Sequence, residues 1–594
     1  MRLADYVMNR LRAAGIGHVF LVTGRGALFL TDALAKHPEL AAVSVHHEQS
    51  AAFAAVAYAQ QTDALGACLV STGCAATNTM TGVLSAWQDG VPCIFISGQN
   101  ILKETSRYTG IALRTYGQQE ADIVELVRPI TKYAHMVTSA DEIAQVMDTA
   151  LHLASSGRKG PVWIDIPLDL QSALVDSDTL QSAQLPTADA IAVLPERVRA
   201  VMQGLAQAKR PVVLIGSGVR SAGAQAAFKT LVERWQLPVT FAASAPDTYG
   251  SAMAQSIGSV GSMGCSRAGN FAVQNADYLL VLGSRLSSLT TGPEFCKFAR
   301  AATVVVVDID PVEHSKETVR IDDLVVADLH DFLAQANQLA PAPADPAWLQ
   351  QCQRWKALFG AVEPSFFSED SVDLYALADC LSSVLPSPST VVTDSGLAEV
   401  ILPTNMRFGD GMHCIHPASQ GAMGFALPAA IGAHYAGAPL TLAVIGDGSI
   451  MMNIQELETI RYRKLPLKIV VINNNVYSII RRRQRDLFRK RIIGTDPDNG
   501  ISCPSFEKVA ACFDLDYVKI ENQAQLRSGL MDVLRRDGPV LCEIMGRVDQ
   551  EYIEIGQARS TQDKRLVRRP LEDQTPFLDR AVFLSEMRIE PLDQ

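Results

Sequence analysis

The sequence predicts an α/β protein of three doubly wound domains with mostly parallel sheets, and three observations lead there. Short apolar runs with the length and branching of buried strands alternate with helical segments along the chain. Many of those runs stop in glycine or polar turns, among them Gly24-Arg25-Gly26, Gly216-Ser217-Gly218 and Gly446-Asp447-Gly448-Ser449. Two stretches, the polar segment from Asp176 to Pro195 and the Pro/Ala-rich segment from Ala340 to Pro346, read as linkers. A chain of 594 residues exceeds a single core, and the expected divisions are 1–175, 190–340 and 360–550, with a tail over 551–594.

Composition narrows the function. A net charge of −11 argues against nucleic acid or an anionic membrane as partner. The opening MRLADYVMNRLRAAG is amphipathic and lacks the apolar core of a secretion signal, and no uncharged stretch reaches membrane-spanning length. Eleven cysteines are scattered without a CxxC pair, which fits a reducing compartment, so a cytoplasmic protein is expected.

In the first domain the runs His18–Val22, Ala67–Ser71, Cys93–Ser97 and Val162–Ile166 read as strands. After Val43-Ser44-Val45 a carboxylate, Glu48, precedes the small-residue helix Ser50–Ala59; a carboxylate buried there needs a partner, whereas a surface Glu needs none. The turn Ser71–Asn78 leads from a strand into a helix, and its Cys74 is either a nucleophile or, more simply, a small packed thiol. In the middle domain Val212–Ile215 runs into Gly216, and Val304–Val307 into Asp308, Ile309 and Asp310. An acidic residue at a strand end suits a ribose hydroxyl or an adenine amine.

The third domain holds the most informative stretch. The strand Leu442–Ile445 ends in Gly446-Asp447-Gly448-Ser449, a helical span follows, and a second strand, Leu467–Ile472, stops at Asn473-Asn474-Asn475. In a βαβ unit both polar ends lie at the carboxyl edge of the sheet, so Asp447 and Asn474 come near each other. Glycines admit a phosphate to the backbone, and hard oxygens suit Mg²⁺. The alternative is a plain turn and a strand cap. Beyond lies Tyr477–Arg491 with seven Arg or Lys residues, either a solvated helix face or an anion-binding segment.

GDGS followed by Asn474 resembles the thiamine-diphosphate signature of the acetolactate synthase and pyruvate decarboxylase superfamily. HEQSAAFAAVAYA resembles that family's HE-x-x-A segment, and Gly421-Ala422-Met423-Gly424-Phe425 its GAMGF motif. Ser71–Asn78 is similar to the TSGPGATN loop, with Cys74 and Ala75 for Pro and Gly; Leu397-Ala398-Glu399 stands where acetolactate synthases carry Gln-His-Gln. The resemblance implies a thiamine-diphosphate-binding fold around a Rossmann-like middle domain. It implies that Asp447, Asn474 and the backbone oxygen of Val476 hold Mg²⁺, and that Gly396, Gly446, Gly448 and Ser449 flank the diphosphate. Gly421 would contact the aminopyrimidine amine, Met423 would bend the cofactor, and Gly73 and Asn78 would lie on its pyrimidine side. Glu48 would hydrogen-bond the aminopyrimidine and so activate the cofactor, with Gly26, Gln119 and Lys132 on the same catalytic side. Gly216, Arg285, Asp308 and Asp310 match a site for FAD.

The implied activity is a carboligase: decarboxylation of pyruvate or a similar 2-oxo acid, then transfer of an acyl-anion equivalent to a carbonyl acceptor, in a homodimer or homotetramer whose site spans two subunits. Gln118, where the family has an aromatic, and Arg483, at a tryptophan position, point to a negatively charged acceptor such as a nucleotide-linked keto sugar. A true acetolactate synthase, a decarboxylase or a C–C hydrolase are the alternatives. A binding protein without catalysis is disfavoured by the joint presence of Glu48, Asp447 and Asn474.

Overall fold

The computed structural model describes the chain except residues 186–191, 361, 367–369, 489, 490, 560–564, 593 and 594. Its three large sheets have six strands each, all parallel, as the alternation of strands and helices required. Helices cover both faces, so strands such as Gly66–Val70, Cys93–Gln99 and Tyr278–Leu282 are buried at every residue. That is why they read as continuous apolar runs without alternation.

The first sheet runs in the order Ala41–Ser44, His18–Leu21, Gly66–Val70, Cys93–Gln99, Pro161–Pro167, Tyr133–Met136. The third repeats this order with Met412–Ile415, Ser389–Thr393, Thr441–Gly446, Lys468–Asn473, Val540–Met545 and Asp516–Ile520. The middle sheet follows the Rossmann order instead: Asp323–Val326, Thr303–Asp308, Tyr278–Leu282, Pro211–Ile215, Val239–Ala242, Ser256–Val260. In each sheet the strand order reverses beside the first strand of the domain, and a crevice opens there at the carboxyl ends. The crevices lie between His18–Leu21 and Gly66–Val70, between Pro211–Ile215 and Tyr278–Leu282, and between Ser389–Thr393 and Thr441–Gly446.

Helix Glu48–Thr62 is buried at every residue from Ser50 to Ala59, because it packs on helix Ala426–Tyr435 of the third domain as well as on its own sheet. Small side chains permit that approach: a Cβ on Gly432 would strike the Ala54 carbonyl, and Phe53 meets Phe425 edge-on with ring centroids 5.2 Å apart. The middle core draws in Trp348 and Trp355 of helix Pro346–Phe359, and the tail is tied to it by Arg300 and Gln274, both bonded to Glu572 at 2.7 Å. All three domains meet at a charge network: Arg220 lies 3.5 Å from Asp63 and 3.0 Å from Asp247, and Asp247 also pairs with His413. Burial alone would raise the Asp247 carboxyl, but Arg220 and His413 hold it below its usual range. Among the described residues no helix is long and apolar enough to cross a membrane.

Candidate active site

In the third domain, strand Thr441–Gly446 delivers Asp447 to the crevice, 3% exposed. Its carboxylate accepts from the backbone N–H of Gly448 (2.7 Å), Asn474 (3.0 Å) and Asn475 (2.5 Å). Asn475 itself turns left-handed, φ +55°, a conformation Asn tolerates. Asn474 is fixed in turn: its Oδ1 accepts from Val476 N–H at 3.2 Å and its Nδ2 donates to Ser478 at 2.7 Å. Burial raises the Asp447 carboxyl above its usual value, and among the described residues no Lys, Arg or His acts against that rise.

Across the same crevice Asp394, fully buried at the end of strand Ser389–Thr393, accepts from Ser449 Oγ (3.0 Å), Gly424 N–H (3.1 Å) and Ser395 N–H (2.6 Å). Burial pushes its carboxyl up to about 7. The hydroxyl proton of Ser449, expected on the diphosphate, is thus committed to Asp394. Gly396 and Gly421 both have positive φ, +77° and +60°, and a Cβ on Gly396 would project into open space. Gly448 must lack a Cβ because the Tyr477 ring fills that position, whereas Gly446 has ordinary backbone and no crowding. Met423 is half-buried in the turn before helix Ala426–Tyr435.

In the first domain Glu48 opens its helix, half-buried, and its Oε2 accepts from Asn78 Nδ2 at 2.9 Å. Asn78 ends a short helix that starts after Gly73, whose φ is +63° and whose Cβ would collide with the Gln119 carbonyl. Gln119 itself is left-handed, φ +60°, a strained backbone for a residue with a side chain, and it is packed against Gly73. The neighbouring Gln118 accepts from Arg25 Nη1 at 2.6 Å. Gly26 is wedged against Ser71, Thr72 and Gly98, its N–H on Ser71 Oγ at 3.0 Å. Lys132 departs from this cluster: burial lowers its amine to about 8, and it donates to the Ser156 carbonyl at 2.6 Å, in the loop beside the middle domain. Cys74 is exposed, so it is not the packed thiol expected. Within the chain Glu48 bonds Asn78 and none of the residues around Asp447.

The middle crevice opens into a cavity of about 470 Å³, lined by Ser217, Gly218, Arg285, Asp308 and Glu313 together with Asp89 of the first domain. Gly216 sits just behind it, where a Cβ would collide with the Gly283 carbonyl. Arg285 donates to Ser419 at 2.8 Å, while Asp310 turns away to pair with Arg158 at 2.8 Å.

Three family models match the chain: the thiamine pyrophosphate enzyme N-terminal TPP binding domain over residues 1–126, the central domain over 198–336 and the C-terminal TPP binding domain over 394–544. The chain belongs to the thiamine pyrophosphate enzyme family. Among its relatives the acetolactate synthase isozyme 1 large subunit of Escherichia coli is 31% identical over 92% of this chain and 94% of its own length. The isozyme 2 large subunit of the same organism is 32% identical over 92% and 95%, and the large subunit of Parasynechococcus marenigrum 32% over 91% and 87%. The protein is therefore a thiamine-diphosphate-dependent enzyme of the acetolactate synthase family.

The residues present fit that cofactor. A buried carboxylate without a counter-cation, beside an Asn and a free backbone carbonyl, suits a hard divalent ion. Among the described residues no group of three or more His, Cys, Asp or Glu could hold a metal. Sequence reasoning missed Asp394, Asn475 and Arg25. Asp394 carried a signal, a carboxylate at the end of the apolar run Val391-Val392; the other two declare themselves only through contacts with distant residues.

The arginine-rich segment is helix Ser478–Leu487, with Arg489 and Lys490 outside the described residues. Arg481 pairs with Asp496 and Asp549 (3.0 and 2.7 Å), Arg485 with Asp486 (3.2 Å), and Arg482 with Glu554 (2.5 Å) while stacking on Tyr552. Arg483 is the loosest, 3.6 Å from Glu554 and half-exposed.

Proposed function

We propose that this enzyme is a carboligase, which decarboxylates pyruvate or a similar 2-oxo acid and transfers the acyl unit to a carbonyl acceptor. The observation that carries this reading is the pair of prepared half-sites: Glu48 held by Asn78 in the first domain, and the cation-free Asp447 cradle in the third. Bound thiamine diphosphate supplies the electron sink that such chemistry needs. Asp447, Asn474 and the Val476 carbonyl would hold the Mg²⁺ that anchors its diphosphate, with Gly396, over which no atom stands, admitting the phosphates to the backbone. Glu48 holds a proton at Oε1 or Oε2 for exchange with the cofactor's pyrimidine side, and Asn78 fixes which oxygen is free. A homodimer or tetramer with the site at the subunit boundary is part of the proposal, supported by the finding that Glu48 bonds Asn78 and, among the described residues, no group of the Asp447 cradle. FAD in the 470 Å³ cavity is a further part, since Arg285 and Asp308 line it as a diphosphate and an adenosine would require.

The acceptor in this reading is a ketone bearing a negative charge, such as a nucleotide-linked keto sugar; the exposed Gln118 supports it. A second reading, acetolactate synthesis from two pyruvates, is favoured by the names of the relatives. Incubation with pyruvate alone and with a panel of ketones, read by mass spectrometry, separates them. Abundant acetolactate at high turnover would remove the keto-sugar acceptor, and no product with any 2-oxo acid would remove the carboligase.

A further inference from the structure

The arginines of helix Ser478–Leu487 are largely neutralised by Asp496, Asp549 and Glu554, so that helix is a poor receptor for a free anion. Arg25 is different. Among the described residues no carboxylate pairs with it, and its one side-chain bond goes to a neutral amide oxygen, Gln118 Oε1 at 2.6 Å. That bond occupies one N–H of a guanidinium that has five.

The backbone beneath Arg25 is rigid. A Cβ on Gly24 would lie 2.5 Å from Ser71 Cβ, Gly26 N–H bonds Ser71 Oγ at 3.0 Å, and the Gly26 carbonyl accepts from buried Gln171 at 2.7 Å. Gln118 is anchored too, its backbone carbonyl accepting from Asn100 Nδ2 at 3.0 Å. Arg25 follows strand His18–Leu21 and faces the loop after Gly66–Val70, which places it in the crevice where the first sheet reverses its order, the position where α/β sheets bind ligands. Glu48 follows the adjacent strand, Ala41–Ser44, and Asn78 reaches it from the helix after Gly73, so cation and base occupy one edge of one sheet.

We infer that Arg25, aimed by Gln118, binds an oxyanion, carboxylate or phosphate, of the carboligation acceptor. The inference rests on the carboligase reading and names its substrate class. The guanidinium offers its remaining N–H groups as a fork to two oxygens, while the acceptor carbonyl lies toward Glu48.

The test compares the holoenzyme with Arg25→Gln and Arg25→Lys, using pyruvate as donor and two acceptors that differ in charge, 2-oxobutyrate and butanone. Arg25→Gln is expected to raise KM for 2-oxobutyrate roughly tenfold, the scale of one charge-assisted hydrogen bond, with KM for butanone and single-turnover CO₂ release from pyruvate at enzyme excess unchanged. Arg25→Lys should recover part of the loss. Equal effects on both acceptors, an unchanged KM for 2-oxobutyrate, or a parallel weakening of pyruvate in single-turnover CO₂ release would overturn the assignment; the last would give Arg25 to the donor carboxylate. Dissociation of the oligomer in Arg25→Gln would give it to a subunit contact and overturn it as well. Calorimetric titration of inorganic phosphate into both proteins reads the same contact without turnover, and equal affinities would refute it. Absence of CO₂ release from the wild-type protein with every 2-oxo acid sinks the carboligase reading alone.

Discussion

Asn78 donates to Glu48 across 2.9 Å, which joins the end of one short helix to the start of another thirty positions upstream. A carboxylate whose one oxygen is held in this way presents the other for chemistry. Glu48→Gln should lower carboligation by two orders of magnitude or more, roughly the worth of a positioned acid–base group, with the fold intact by circular dichroism. Asn78→Ala should cost less, since it removes orientation and leaves the carboxylate. Undiminished turnover in Glu48→Gln would refute the assigned role.

Asp447 lies buried with three amide donors and no cation. Dialysis against a chelator should therefore abolish activity, and Mg²⁺ should restore it. Asp447→Ala should leave the protein unable to bind the cofactor by calorimetry at any practical Mg²⁺ concentration. An active, metal-stripped enzyme would contradict the cradle.

Asp165 is 2% exposed and accepts from Ser97 Oγ at 2.6 Å and Gln99 Nε2 at 3.1 Å. Burial lifts its carboxyl from 3.8 to about 7. The folded chain thus keeps a proton that the unfolded chain releases near pH 4, so this group's contribution is full at low pH and fades as pH rises toward 7. Asp165→Asn should flatten the dependence: Tm of the wild type minus that of the variant should be larger at pH 5 than at pH 8. A difference independent of pH would show that Asp165 titrates normally.

Arg220 bridges Asp63 and Asp247 at the junction of the three domains. Arg220→Ala leaves Asp247 buried with His413 and the Cys414 N–H as its partners among the described residues, a loss on the order of 3 kcal/mol. It should appear as a lower Tm and faster proteolysis of the linkers. Arg220→Met with an unchanged Tm would assign the junction's strength to packing.

Local pattern made the domain order, the strand ends and the Asp447/Asn474 pair legible in the sequence. A βαβ unit fixes both strand ends within about thirty positions, so spacing alone brings those residues together. Contacts between distant segments stayed hidden. Nothing near Glu48 announces Asn78, and nothing near Arg25 announces Gln118. The arginine-rich helix reads as a free positive patch in one dimension, yet the acids that quench it stand up to seventy positions away, at Asp549 and Glu554. Lys132 fits a family position, but its length lets it reach the Ser156 carbonyl, and burial holds it there.

The first and third sheets share one strand order, and the two helices that meet between them each follow the second strand of their own sheet. Each polypeptide is thus a pair of look-alike halves joined through the same element, with Glu48 on one half and the Asp447 cradle on the other. In the proposed dimer, two such molecules paired about a rotation axis would close reaction chambers only in twos, each borrowing one wall from either molecule. A mixed assembly of one Glu48→Gln molecule with one Asp447→Ala molecule would then retain one chamber wholly intact and one doubly broken, a rescue that neither parent could show.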